Sequence, residues 1–350
     1  MRGLSYVVAL VPGLFCVLGL LLGGPLVWVT PLVVFGLVPL ADTVWRRSGS
    51  AGPGSLDGAA AHLLLVLSAV LDLLAVGLLV VRAPALGPVE LAGCVVSVGI
   101  VLGVYGLNVG HELGHRGGRA FRLTAWVLMA SSLYGHFWIE HNLGHHARVA
   151  TPEDPASARR GQWLYPFWVQ SIVGGARSAL ALAPRFVLGI WLAQALAVAA
   201  VAIGLGPVAA LAWLGAAAIG ILLLETVNYL EHYGLVRERT ADGRWERVQP
   251  RHSWNAEHPV GRAMLFDLPR HADHHANPRR ACIDLRPFDE APQLPVGYPA
   301  MVLIALVPPL FMALMHPRLD QLGSLAPLSQ RAAGAALFLT WSPNAITSGE

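Results

Sequence analysis

The 350-residue chain contains no lysine, so all 24 of its basic residues are arginine. Charge of either sign is scarce: charged side chains make up 13% of the chain, against about a quarter in soluble globular domains. Together with 55% hydrophobic residues and a mean hydropathy of +0.55, this excludes an ordinary soluble globule. The net charge is only +3, and the arginines are strung between apolar runs rather than gathered on one face, which argues against a nucleic-acid binder. The three cysteines, Cys16, Cys94 and Cys282, are far apart and form no CxxC pair, so neither a disulfide framework nor a thiolate-held metal is supported. No glycine-rich nucleotide-binding motif is present either. What the chain does have, unusually for such an apolar sequence, is 14 histidines.

Runs of roughly 18 or more apolar residues mark candidate membrane spans at 4–22, 26–41, 60–81, 89–110, 187–205 and 208–230. The first follows Arg2 in the manner of a signal peptide. It lacks a small-x-small cleavage site, however, and runs through Gly23-Gly24-Pro25 into another apolar run, so an anchor is expected. Gly206-Pro207 makes the last two spans a hairpin. With the N-terminus in the cytoplasm, Arg46, Arg47 and the arginines of 116–122, 148–185 and 237–286 fall inside, and Arg82 alone falls outside, a strong positive-inside pattern. The apolar stretch 123–139 is expected to be re-entrant or interfacial, because crossing there would separate the histidines before and after it. The stretch 301–315, broken by Pro308-Pro309, is expected to be interfacial. The fold class expected is therefore all-α and integral to a membrane, with six transmembrane helices in a single domain over 1–350 and cytoplasmic catalytic segments at 111–186 and 231–298.

Four histidine clusters follow the apolar segments. His111 and His115, in His111-Glu112-Leu113-Gly114-His115, stand at i and i+4 on one helical face. His141 and His145 repeat that spacing, and His146 beside them is turned about 100° away. His232 closes the sixth span. His271, His274 and His275 are spaced i, i+3, i+4. Nine imidazoles exceed what one ion takes and suit two. Read alone, HExxH also fits a soluble zinc protease, but that leaves seven of the nine without a role. A metal transporter would place its ligands near the bilayer midplane, and a haem anchor would carry single histidines on facing helices. Clusters at predicted cytoplasmic helix ends fit neither. Imidazole alone does not select among iron, copper, zinc and nickel.

These boxes resemble those of the membrane-bound non-haem di-iron oxygenases, which include fatty-acid desaturases, sterol oxidases, xylene monooxygenase and the alkane 1-monooxygenases. The alkane hydroxylase branch is the nearest in detail. Tyr134-Gly135-His136-Phe137 leads into the second box, Asn228-Tyr229 leads into Glu231-His232-Tyr233-Gly234, and His252-Ser253-Trp254-Asn255 is followed by His258. The run from Arg270 to Pro278, then Leu294-Pro295 and Gly297-Tyr298-Pro299, continues the likeness, which is dense over 105–160 and 225–318. Arg116 stands where the family usually has lysine. The linkers at 42–58 and 156–186 are short, and no rubredoxin-like segment is seen.

The resemblance implies two iron ions held by His111, His115, His141, His145, His146, His232, His271, His274 and His275, with dioxygen activated to hydroxylate the terminal methyl of an alkane. Acyl, terpene or aromatic-methyl substrates, or desaturation, are the alternatives within the group. Glu112, Glu140, Glu231 and Asp273 are candidates to accept the second ring N–H of a ligand histidine. His136, His252 and His258 are assigned supporting roles, and His62 and His316 are expected to be packing or interfacial residues. Trp126, Tyr134, Phe137 and Trp138 are candidate channel residues for an alkane from the bilayer. Electrons must come from a separate protein, a rubredoxin or ferredoxin with its NAD(P)H reductase. An arginine face comprising Arg237, Arg239, Arg244, Arg247, Arg251, Arg270, Arg279, Arg280 and Arg286 is a candidate dock. The expected location is a bacterial inner membrane, with the N-terminus and the active-site face cytoplasmic.

Overall fold

The computed structural model describes residues 3–45 and 58–325. Among these, helices and turns account for the chain, and the only β pairing is two isolated bridges. Arg46, Arg47 and most of the 42–58 linker lie outside the described residues.

Five helices are long and apolar enough to cross a membrane: α2 (Gly24–Val44), α3 (Gly58–Ala85), α4 (Pro88–Gly114), α8 (Pro184–Leu205) and α9 (Pro207–His232). The first expected span is corrected to a shorter apolar helix, α1 (Tyr6–Leu22). It stops there because Gly23 and Gly24 adopt φ of 73° and 60°, a left-handed turn open to residues without a Cβ, and Pro25 follows. Gly206, at φ 94°, makes the same kind of break between α8 and α9. The outward faces remain apolar, with Leu22 67% and Ile203 88% exposed, which suits a helix set against lipid rather than water.

The 123–139 stretch forms no helix of the length that crosses a membrane. Arg119–Ser131 forms α5, a turn through Leu133 at φ 55° reverses the chain, and a second helical segment, α6, covers 137–148. The 156–186 linker contains a helix that the apolar-run search passed over, α7 (Leu164–Leu182); Gln170, Ser171, Gly174, Gly175, Arg177 and Ser178 interrupt its apolar residues, so it never forms a continuous run. Beyond α9 come two six-residue helices, α10 (Pro259–Met264) and α11 (His271–Ala276), then α12 (Tyr298–Ala305) and α13 (Pro308–Leu325), the last two separated at the expected proline pair.

Two of the crossing helices matter most for the site because each carries a histidine box at one end. α4 and α9 approach closely through glycine: a Cβ on Gly99 would lie 2.6 Å from Ile219 Cβ, and one on Gly220 would lie 3.1 Å from the Gly99 carbonyl oxygen and 3.2 Å from the Gly103 nitrogen. Gly99 and Gly103 form the small-xxx-small pattern by which helix backbones meet when lipid offers no hydrophobic drive. The contact fixes the α4 end that bears His111 against the α9 end that bears His232.

Candidate metal centre

All nine histidines converge, in two groups. His111, His115, His141, His146 and His274 form one; His145, His232, His271 and His275 form the other. Within each group the ligating atoms lie within 4.8 Å of one another. Helix geometry explains the sorting. His111 and His115 lie four residues apart at the end of α4, and His271 and His275 four apart on α11, so each pair shares a face and a group. On α11 His274 points away from that pair and joins the first group.

The second box behaves differently from the i, i+4 expectation. Residues Glu140–His145 are wound as a π-helix, in which i and i+5 replace i and i+4 as axial neighbours. His141 therefore pairs with His146, at 3.0 Å between their Nε2 atoms, and His145 turns to the other group. A single extra residue per turn lets three nearly consecutive histidines serve two sites.

In the five-histidine group the Nε2 atoms close a ring: His111 to His274 3.0 Å, His274 to His146 3.1 Å, His146 to His141 3.0 Å, His141 to His115 3.1 Å and His115 to His111 3.1 Å. A neutral imidazole nitrogen either donates or accepts, so an odd ring of five cannot satisfy all its contacts by hydrogen bonding. A cation facing five lone pairs does satisfy it. Two nitrogens each about 2.1 Å from an ion and at right angles lie about 3.0 Å apart, close to the spacing seen here. In the four-histidine group His271 Nε2 lies 3.2 Å from His232 Nε2 and 2.9 Å from His275 Nε2, and the buried Nε2 of His145 has no hydrogen-bond partner. Burial, and then the neighbouring rings, hold His141, His146, His271, His274 and His275 well below the usual histidine pKa, and His115 is brought to about 4. The rings are neutral at pH 7 and present lone pairs. Both groups can hold a metal ion.

The surrounding acids are disposed otherwise than the sequence suggests. Glu112 accepts from Arg116 at 2.7 Å and from the Cys282 amide. Glu140 accepts from Arg148 at 3.0 Å, and burial raises its pKa. Asp273 accepts from Asn277, Arg280 and the Arg286 amide. None of these three is hydrogen-bonded to a ligand histidine among the described contacts. Glu231 accepts from Tyr298 at 2.9 Å, and its other oxygen lies 3.2 Å from His271 Nε2, the nitrogen that faces the group, rather than Nδ1.

The acid that does orient a histidine is Asp154, which the sequence reading missed. Its Oδ2 lies 2.9 Å from His145 Nδ1 and accepts from Ser157 at 2.6 Å. Burial would push this carboxyl up, but His145 and Ser157 hold it below its usual range. It stands nine residues from His145 in a loop, outside any box and next to Glu153, and no sequence signal sets it apart. His232 Nδ1 is 3.4 Å from the His252 carbonyl oxygen. His252 itself takes the Gln249 amide and faces Glu246, and burial lowers its pKa to about 4. His136 accepts from Trp191, with its pKa likewise lowered by burial to about 4. His258 begins α10 beside Gly297. His62 packs edge-on against Phe121, and His316 pairs with the Tyr233 hydroxyl.

Two cavities lie near the centre. One is lined by Tyr134 and Phe137 together with His141, His145 and the buried Glu225. The other, apolar, lies between α2, α4, α9 and α12; no ligand histidine lines it, but it includes Asn108, one turn before His111, and Tyr298, which bonds Glu231. None of the four aromatic channel candidates lines the apolar cavity; Trp126 and Trp138 pack on each other and on Phe186. In the arginine face, Arg239, Arg244 and Arg251 are exposed, but Arg237 and Arg270 are buried and cannot meet a partner: Arg270 is spent on Glu257 and the Leu285 carbonyl.

Fold and site together define a class: an apolar multi-helix protein whose histidine boxes meet in two candidate metal groups at the ends of its spanning helices. A family model for fatty acid desaturases matches residues 87–305. The chain is 41% identical over 243 residues to an alkane 1-monooxygenase of Pseudomonas putida, covering 65% of this chain and 60% of that protein. It is 37% identical over 305 residues to alkane 1-monooxygenase 1 of Alcanivorax borkumensis, covering 81% and 75%, and 37% identical over 315 residues to alkane 1-monooxygenase 2 of Pseudomonas aeruginosa, covering 83% of each. The chain belongs to the fatty acid desaturase family, in its alkane 1-monooxygenase branch.

Proposed function

We propose that the protein is an integral-membrane alkane 1-monooxygenase that converts a terminal methyl to a primary alcohol. One oxygen atom enters the C–H bond and the other leaves as water, with two electrons and two protons consumed. The observation that carries this reading is the convergence of nine imidazoles in two groups, with an apolar cavity that reaches Asn108, one turn before His111 on α4. One iron in each group would supply the oxygen chemistry, with His111, His115, His141, His146 and His274 holding the first and His145, His232, His271 and His275 the second. The chain's own residues orient and exclude. Asp154 fixes the tautomer of His145 so that Nε2 faces inward, and Glu231, itself held by Tyr298, places a carboxylate oxygen at the edge of the second group. The apolar walls keep water from the reacting carbon and supply about 0.8 kcal/mol per buried CH₂ to a substrate with no polar handle.

The electrons come from a rubredoxin or ferredoxin with its NAD(P)H reductase, docking on exposed arginines such as Arg239, Arg244 and Arg251. The chain forms one domain in a bacterial inner membrane with the histidine face in the cytoplasm, as the arginine distribution supports. The test is anaerobic reconstitution with iron and reduced rubredoxin, followed by oxygen and a panel of n-alkanes. Formation of 1-alkanols is expected; turnover of an acyl lipid without any 1-alkanol contradicts the assignment.

A further inference from the structure

Behind the second histidine box lies a strained turn. Just past His146 the chain bends through Ala150 at φ 57°, a left-handed conformation in which a Cβ crowds the neighbouring carbonyl and which persists only where the surroundings impose it. Here it is held from the segment that follows α9. The backbone amide of Arg237 donates to the Ala150 carbonyl at 2.7 Å. Its Nε donates to the Val149 carbonyl at 2.6 Å and its Nη2 to the Ala147 carbonyl at 3.0 Å. Three of the four residues after His146 thus give their carbonyls to Arg237. Arg237 is 7% exposed, and every hydrogen bond of its guanidinium among the described residues ends on a backbone carbonyl, the third being that of Glu246. Carbonyls at the C-terminal end of a helical segment carry partial negative charge and suit a cation. The arginine that the sequence places on a docking face is turned inward as a helix cap.

Arg237 stands five residues beyond His232, whose ring shares the second group with His145. It therefore ties the end of α9 to the end of α6. The tie continues to a ligand: the Ala150 amide donates to Ser157 Oγ at 2.8 Å, Ser157 donates to Asp154 Oδ2 at 2.6 Å, and that carboxylate lies 2.9 Å from His145 Nδ1. We propose that Arg237 is a positioning residue of the metal centre: by capping the segment that carries the second box and holding the strained turn behind it, Arg237 fixes His145 and His146 in the separate groups they serve. This rests on the reading of those groups as metal sites, and not on which substrate is oxidised.

The test uses the full chain, freed of metal, in lipid nanodiscs: unaltered, as Arg237→Gln, as Arg237→Lys, and as the double variant Arg237→Gln with Ala150→Gly. Cobalt(II) affinity is measured by competition with a chelator, and amide hydrogen exchange over 145–151 is followed without metal. Arg237→Gln is expected to weaken cobalt binding by about 10–100-fold, the range for losing an outer support of a ligand, and to speed exchange at Ala150. Arg237→Lys keeps the charge but not the planar two-nitrogen grip; it gives a smaller loss of the same sign and serves where the glutamine variant folds poorly. Adding Ala150→Gly recovers about tenfold of the loss, because a residue without a Cβ takes this φ at no steric cost. A general loss of stability would not be recovered by that change. Unaltered affinity and exchange in both single variants would overturn the proposal, as would a double variant no tighter than Arg237→Gln. Faster exchange in the variants of a chain that takes up no cobalt even when unaltered would uphold the cap and refute the metal reading instead.

Discussion

At the residue scale the centre depends on which nitrogen of each ring faces inward, and Asp154 decides this for His145. Asp154→Asn is expected to leave the fold intact and weaken metal binding to the second group by about 10–100-fold, the usual cost of losing an outer partner of a histidine ligand. Competition against a chelator of known affinity measures it; unchanged affinity would remove Asp154 from the account. His145→Ala is expected to lose metal and activity together, whereas His62→Ala, at an edge contact with Phe121, keeps both. The nine histidines were legible from spacing and likeness, because a metal site needs several copies of one residue type in short range. Asp154 was not legible: an acid in a loop, beside Glu153, has no periodicity to betray which of the two turns inward. The acids inside the boxes were misread for the converse reason, since sequence adjacency to a ligand does not say which way a carboxylate turns, and Glu112, Glu140 and Asp273 turn to arginines.

At the element scale, the π turn over Glu140–His145 distributes the second box. Deleting Leu143, whose side chain is exposed, would bring His141 and His146 to i, i+4, the spacing at which an ordinary α turn keeps two rings on one face. The expected result is that the first group keeps its metal, read as iron per chain; loss of that metal would show that the π turn itself, and not the pairing of His141 with His146, sorts the rings. Nothing in the sequence announces a π turn, whose cost is repaid only by contacts distant along the chain. The α4–α9 contact was equally hidden, although Gly99 and Gly103 stand in the sequence. Gly220→Leu, which must intrude on the Gly99 carbonyl and the Gly103 amide, is expected to cost about 1–3 kcal/mol or more as overpacking, measured as a lowered unfolding temperature in detergent.

At the scale of the whole molecule, long apolar runs made five spanning helices readable, because lipid requires continuous apolar length. α7 escaped that search, and the first expected span, 4–22, came out shorter at its N-terminal end, with α1 beginning at Tyr6 and ending at Leu22 as expected. The buried histidines also give the protein a pH dependence. His136 and His252 have pKa values of about 4 in the fold against about 6.5 in an unfolded chain. Between these limits the unfolded chain binds more protons, so stability falls as pH drops from about 6.5 towards 4. Thermal unfolding of the metal-free protein across that range should show it, and a flat profile would contradict the burial of these rings.

The central claim is that nine histidines form two metal groups rather than one site with spare ligands. Metal analysis of the purified chain, by elemental mass spectrometry alongside its visible spectrum, tests this most directly. The account predicts about two irons per chain and no haem absorbance; one iron, zinc alone, or a haem band would contradict it.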